Sequence, residues 1–508
     1  MMMQPADSAV AELFRNFSPE IVAEKLTRIY QNGQPGTLFC NFYYPDAILV
    51  LQHLQRHEPA RDIPWMLFGR DVFGKQSLCY RISGNTIEVK RIPGQISAGW
   101  REIPQGVVVV IRHEEIARNG ISFNDEVKKL HLQFTFKDLW AADCFVFYFV
   151  ENEAVSLFTE RLENSIEHVQ TFQVPGCDDL FKINTQILPD EEVKESEEEY
   201  VRQFIDLFRK VMARRYLPPP HGNVPLMFLF SGGVDSLFVT MTAASMADEN
   251  QEFVLVNVSF SEDGNDFEIA PDRGRGVSAY NFLKEKFPER TFHFLRVNVT
   301  KEELQLERTS SIAKAIAPGY SVLDDSIGCV VWFACRARGI EDGVETSYDK
   351  VIHVLVGSGS DEILGGYSRH RGRFEREGYD GLFAELKLEI ENIGNRNLGR
   401  DDRVALSNNR LITAPFLDEE VVRFVNSLPI QVKVDFSKPR GFGEKVILRN
   451  ALKQLGCPEA LYTAPKKAMQ FGTRIAKLEK TGEKGSDICD RLKIPNEESA
   501  QATIMASD

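Results

Sequence analysis

The chain has 508 residues, 43% of them hydrophobic, and a formal charge of −14 at pH 7. At roughly 100–200 residues per domain this length calls for two domains or more, and the acidic balance argues against a nucleic-acid groove, since neutralising phosphates needs a basic face. No apolar run approaches the roughly 20 residues of a membrane span, the start MMMQPADSAVAELF lacks the pattern of a secretory signal, and the eight cysteines form no Cys-x-x-Cys pair, so a cytoplasmic protein with reduced thiols is expected.

Over residues 1–187 the apolar residues fall in short runs such as SLCYRI, TIEVKRI, GVVVVIRH and CFVFYFV, rich in Val, Ile, Phe and Tyr, which predicts a β-rich domain. The acidic stretch LPDEEVKESEEEY reads as a solvated linker or helix start, placed at 188–199. From Tyr200 the pattern turns helical, with Val201, Phe204, Ile205, Phe208, Val211 and Met212 on one face. The runs PLMFLF, FVLVNV, FHFLRVNV and VIHVLV then alternate with long amphipathic stretches, the pattern of an α/β domain with a parallel sheet covered by helices over 200–477. Residues 478–508 are polar and aperiodic and read as a disordered tail.

The run PLMFLF leads directly into Ser231, Gly232 and Gly233, followed by a helical pattern that carries Asp235 and Ser236. Ligands of open parallel sheets sit beyond the carboxyl ends of strands, and two glycines let successive N–H groups converge on one anion at a helix start. A plain strand-to-helix turn also uses paired glycines. Asp235 shifts the balance, because a carboxylate beside bound phosphate would repel it unless a divalent cation lies between. The loop has no Lys at the spacing of a Walker motif. SGGVDS resembles the pyrophosphate loop of the enzymes that split ATP between its α and β phosphates.

A second strand-plus-glycine motif, VIHVLVGSGSDEILGGY, carries Gly357, Ser358, Asp361 and Glu362. With NLGRDDRV (397–404), APFLD (414–418) and TAPKKAMQFG (463–472), it is similar to the signature segments of the asparagine synthetase family, over roughly residues 198–477. That resemblance implies an ATP-pyrophosphatase-like synthetase domain. It implies ATP and Mg²⁺ as cofactors, with Asp235 and Asp361 as metal ligands and Ser231, Gly232, Gly233, Asp235, Ser236, Val256, Gly357 and Ser358 around the nucleotide. Lys466 stands at the place of the family's reactive lysine, with Lys467 adjacent. The expected substrates are ATP, aspartate and ammonia, without nucleic acid or membrane, and an oligomer or protein partner stays open.

The first domain carries FGRDVFGKQSL (68–78), which resembles a segment of the family's N-terminal-nucleophile glutaminase domain. That chemistry needs a Cys exposed at the mature amino terminus. This chain begins Met1-Met2-Met3 and has no Cys before Cys40, so residues 1–187 are expected to be a truncated remnant lacking the nucleophile. Two further departures stand beside it. Ser358 occupies the place of a family glutamate, and Leu411 and Thr413 replace a Glu and an Arg before the PFLD segment. A catalytically impaired ATP-binding relative that acts through protein interactions is the alternative these departures favour. His370 is expected to cap or pair on a helix, and Trp332 and Phe333 to sit in the core.

Overall fold

The computed structural model describes residues 49–52, 65–94, 99–112, 131–135, 139–174, 178–217, 224–479 and 482–493. It is a mixed α/β protein with three sheets. A five-stranded sheet runs in the order Leu49–Gln52, Trp65–Gly69, Val107–Arg112, Asp143–Tyr148, His168–Gln173, antiparallel except for the last pair. An antiparallel four-stranded sheet, Arg101–Glu102, Cys79–Ser83, Thr86–Lys90, His131–Thr135, shares a core with it.

The strand Val107–Arg112 shows why its sequence is an unbroken apolar run. Side chains alternate between the faces of a strand. Val107, Val109 and Ile111 point into the core between the two sheets, while Val108 and Val110 join the larger core of the second half of the chain. Asp143–Tyr148 does the same, with Cys144 and Val146 on one side and Phe145 and Phe147 on the other. The five-stranded sheet is therefore a middle layer, and burial on both faces removes the usual polar alternation.

The second half is built on a seven-stranded sheet in the order Val344–Ser347, Arg338–Glu341, Phe292–Thr300, Phe253–Ser261, Leu226–Leu229, His353–Leu355, Leu411–Thr413. The last five are parallel, and the first two form an antiparallel hairpin at the edge. From Leu226–Leu229 the chain first builds outward on one side and later returns to the other side as His353–Leu355. The gap between these two strand ends is a topological switch point, where open sheets of this kind bind ligands.

Of the two readings of the acidic stretch, the helix start holds and the linker needs correction: the stretch opens the helix Asp190–Val211. Its acids suit the positive helix end, and Glu197 also accepts a hydrogen bond from Asn450 Nδ2 at 2.7 Å. The expected buried face, from Val201 to Met212, is buried as read. The disordered tail is also wrong for residues 482–493. Leu323 N donates to Gly485 O, Val322 N to Asp487 O and Cys489 N to Tyr320 O, at 2.8–2.9 Å, while Leu492 is fully buried. The first two of these bonds satisfy the Val322 and Leu323 amides at the start of the helix Val322–Arg336, which explains how so polar a segment is held. Residues 494–508 lie outside the described residues, as do 1–48.

Candidate functional site

A cavity of about 350 Å³ opens at the switch point. Its floor is the carboxyl end of Leu226–Leu229, continuing through Phe230 and Ser231. Val256 to Val258 come from the next strand on one side, and Val356 to Gly359 from the strand on the other.

The first loop has the geometry of an anion cradle. Gly232 sits at φ +69°, and a Cβ there would lie 2.5 Å from the backbone of Arg275, so both conformation and space require glycine. Gly233 is the N-cap of the helix Val234–Met246 and offers no side chain to its free amides, which leaves them to a ligand. Ser231 Oγ accepts from Gly233 N at 3.2 Å, and Ser236 Oγ donates to Gly233 O at 3.2 Å. The loop is thereby locked on itself.

Gly357 is where the second motif meets the first. A Cβ on it would lie 2.6 Å from Asp235 Cβ. This close approach brings Asp235 and Asp361 together: each has an oxygen 2.6 Å from the Lys445 ammonium. Their nearest oxygens are thus within two such lengths of one another. Lys466 Nζ donates to Asp361 Oδ2 at 2.6 Å and lies 3.8 Å from Asp235 Oδ2. Burial alone would raise the Asp361 pKa, but Lys445 and Lys466 outweigh it and hold this carboxyl well below the usual range. Burial likewise opposes the charge on Lys466, and Asp361 and Asp235 more than restore it, so Lys466 is raised. Lys467 is exposed, which settles which of the two adjacent lysines enters the cavity.

Ser231, Asp235, Ser236, Val256, Gly357, Ser358, Asp361 and Lys466 all line one cavity, with Gly232 and Gly233 in the loop beneath it. The sequence reading did not single out Lys445. It is the N-cap of the helix Val446–Gln454, at φ +55°, with its side chain 1% exposed. A lysine at the positive end of a helix is unfavourable in isolation, and that misplaced charge was the available signal that an anion must lie opposite.

The remaining wall is helical. Glu362 accepts from Tyr367 OH at 2.7 Å and from Asn397 Nδ2 at 3.2 Å, and burial together with the adjacent Asp361 raises its pKa. Arg400 is buried and paired with Asp401 and Asp324. Asn397 belongs to a π-helical turn, Gly394–Leu398, between the helices Ser368–Ile393 and Gly399–Ser407. His370 is buried, its Nδ1 accepts from Tyr367 N at 3.3 Å, and burial pushes its pKa down to about 4, so it caps a helix as expected. Trp332 and Phe333 are core residues.

Two carboxylates converging beside an anion cradle fit Mg²⁺ carried in with a nucleotide, since this ion takes one or two carboxylates plus phosphate oxygens. Among the described residues no cluster of three or more His, Cys, Asp or Glu could hold a metal without such a ligand.

A strand-end anion cradle, paired aspartates, the buried Lys445 and the half-buried Lys466 meet at the switch point of an α/β protein. The asparagine synthase family model matches residues 375–503, the part that contributes Asn397, Arg400, Lys445 and Lys466. Asparagine synthetase domain-containing protein 1 of Mus musculus is 33% identical over 94% of this chain and 85% of its own length. The Homo sapiens protein of that name is 32% identical over 85% of this chain and 78% of its own length. A putative asparagine synthetase [glutamine-hydrolyzing] of Methanocaldococcus jannaschii is 27% identical over 56% of this chain. The chain belongs to the asparagine synthetase domain-containing protein 1 family.

Proposed function

We propose that this chain is an ATP-dependent, AMP-forming amide synthetase of the asparagine synthetase type, with L-aspartate as acceptor and ammonia as nitrogen source. The observation that carries the reading is the array Asp235, Lys445, Asp361 and Lys466, set directly over the loop Ser231–Gly233. Asp235 and Asp361 would hold Mg²⁺, which supplies charge neutralisation at the phosphates. The acceptor carboxylate attacks the α-phosphorus, the bond to the α,β-bridging oxygen breaks, and pyrophosphate leaves with the electron pair on that oxygen, its charge met by the N–H groups at the start of the helix Val234–Met246. Ammonia then adds to the acyl carbon and loses a proton as AMP departs, with the Lys466 ammonium placed for the developing negative charge.

The same reading makes residues 1–187 a remnant of a glutaminase-type domain, 200–477 the synthetase domain, and the cytoplasm its compartment. An ATP-binding relative that acts through protein interactions is favoured by one observation. Ser358 lines the cavity where the family resemblance calls for a glutamate. The test is release of pyrophosphate from ATP and Mg²⁺, with and without aspartate and with ammonia or glutamine as donor. Acceptor-dependent pyrophosphate, abolished in Asp235→Ala, supports the synthetase. ATP binding without pyrophosphate under any combination favours the interaction protein. Ser358→Glu should raise the amide formed per pyrophosphate released if the serine limits the second step.

A further inference from the structure

The π-helical turn Gly394–Leu398 is held from outside the synthetase half, by two buried side chains of the β-rich half, Gln105 and Arg70. In a regular helix, Gly394 N–H would donate to Ile390 C=O. Here the Gln105 carboxamide stands in that place: its Oε1 accepts from Gly394 N at 2.6 Å, and its Nε2 donates to Ile390 O at 3.1 Å. Gln105 thus replaces one rung of the helical ladder, and an inserted side chain is a recognised cause of such a break. The backbone amide of Gln105 also donates to Asn395 Oδ1 at 3.2 Å, and Arg70, fully buried, donates to Gly394 O at 3.1 Å. Gly394 permits the approach, since a Cβ on it would lie 2.5 Å from Phe73 O and 2.8 Å from Gln105 Cβ.

Three residues further along the chain, Asn397 bonds Glu362 in the cavity, and Arg400 lines the same wall. We infer that Gln105 is a positioning residue, whose carboxamide sets the π-helical turn that places Asn397 and Arg400, so that the β-rich half governs the geometry of the synthetase cavity. Activity then depends on this half for a reason separate from any glutaminase chemistry. The effect on turnover rests on the proposed synthetase reading; the effect on the turn does not.

The test uses the full chain with Gln105→Ala and Gln105→Glu, the second keeping the size and the acceptor but losing the donor to Ile390. Hydrogen exchange should quicken about tenfold over residues 388–400 in Gln105→Ala, since two bonds are lost there. It should stay unchanged over the loop at 231–236, and Gln105→Glu should fall between. Affinity for Mg-ATP should remain within about twofold, while acceptor-dependent pyrophosphate release falls about tenfold or more, as small misplacements of positioned groups do. In an Asn397→Ala background, Gln105→Ala should add less than about twofold, because coupled residues are not additive. Exchange that rises evenly along the chain, or not at all, overturns the positioning role. So does a Gln105→Ala loss that multiplies in full with that of Asn397→Ala. If the wild-type chain releases no pyrophosphate, the synthetase reading fails, and the exchange pattern still decides whether Gln105 sets the turn.

Discussion

The two walls of the cavity are built differently. One is made of strand ends, Ser231 to Ser236 and Gly357 to Asp361, placed by the ladders of a parallel sheet and by glycines that allow close approach. The other is made of residues in and between helices, Asn397, Arg400 and Lys466, with Lys445 bridging Asp235 and Asp361, and it is placed by contacts between segments far apart in the chain. Arg403, one helical turn beyond Arg400 and outside the cavity lining, shows the same dependence, fully buried and donating to Glu102, Ser77 and Ile316 O. The strand-end wall is set by the ladders of one sheet, whereas the helical wall depends on the rest of the molecule.

That contrast can be broken first at Arg403. Arg403→Ala removes the buried partner of the partly buried Glu102, which keeps Arg70 and Ser77, and the loss expected for breaking such a pair is about 3 kcal/mol in chemical denaturation. Loss of a single cooperative transition would show that the two halves had separated. Lys466→Ala, by contrast, should leave the fold intact and lower turnover about 10²–10³-fold, the usual cost of removing one charge-stabilising donor. Equal turnover in this variant would remove Lys466 from the chemistry. On the strand-end wall, Gly232→Ala should cost about 1–3 kcal/mol in thermal unfolding, because positive φ is strained for alanine and the added Cβ meets Arg275. It should weaken nucleotide binding at the same time.

The smallest effect sharpens the comparison from outside the cavity. Lys433, unlike Lys445, is fully buried with no hydrogen-bonding partner for its Nζ among the described residues, and burial lowers its pKa from 10.5 to about 7. Between those values the unfolded chain binds the extra proton, so stability rises with pH across that window. Lys433→Met should therefore stabilise by about 0.5–2 kcal/mol near neutral pH, an advantage that fades towards about pH 10. Melting curves at the two pH values measure the difference; an advantage that grows with pH would mean that Lys433 has an anionic partner.

The strand-end wall was legible in the sequence because strand, glycines and acid are contiguous there, and each residue's role follows from its neighbours. Lys445 was not, because its partners Asp235 and Asp361 are distant in the chain and only packing brings them together. The π-helical turn was hidden for a similar reason: nothing in GNRNLG marks a lost rung that Gln105 supplies. The acidic stretch was left between linker and helix start, and the tail was misread, because local polarity signals solvent, while capping bonds and helix dipoles can hold polar residues in order. The middle sheet was legible as strands but not as a layer buried on both faces, since an unbroken apolar run does not say what covers it.

The central claim is that the two walls meet around ATP so that its α-phosphorus reacts. Exchange of labelled pyrophosphate into ATP measures this most directly, because it reports reversible formation of an acyl-adenylate without requiring the amide step. The proposed synthetase predicts exchange that needs both Mg²⁺ and aspartate and vanishes in Asp361→Asn. Exchange without an acceptor, or hydrolysis yielding ADP and phosphate instead, would contradict it.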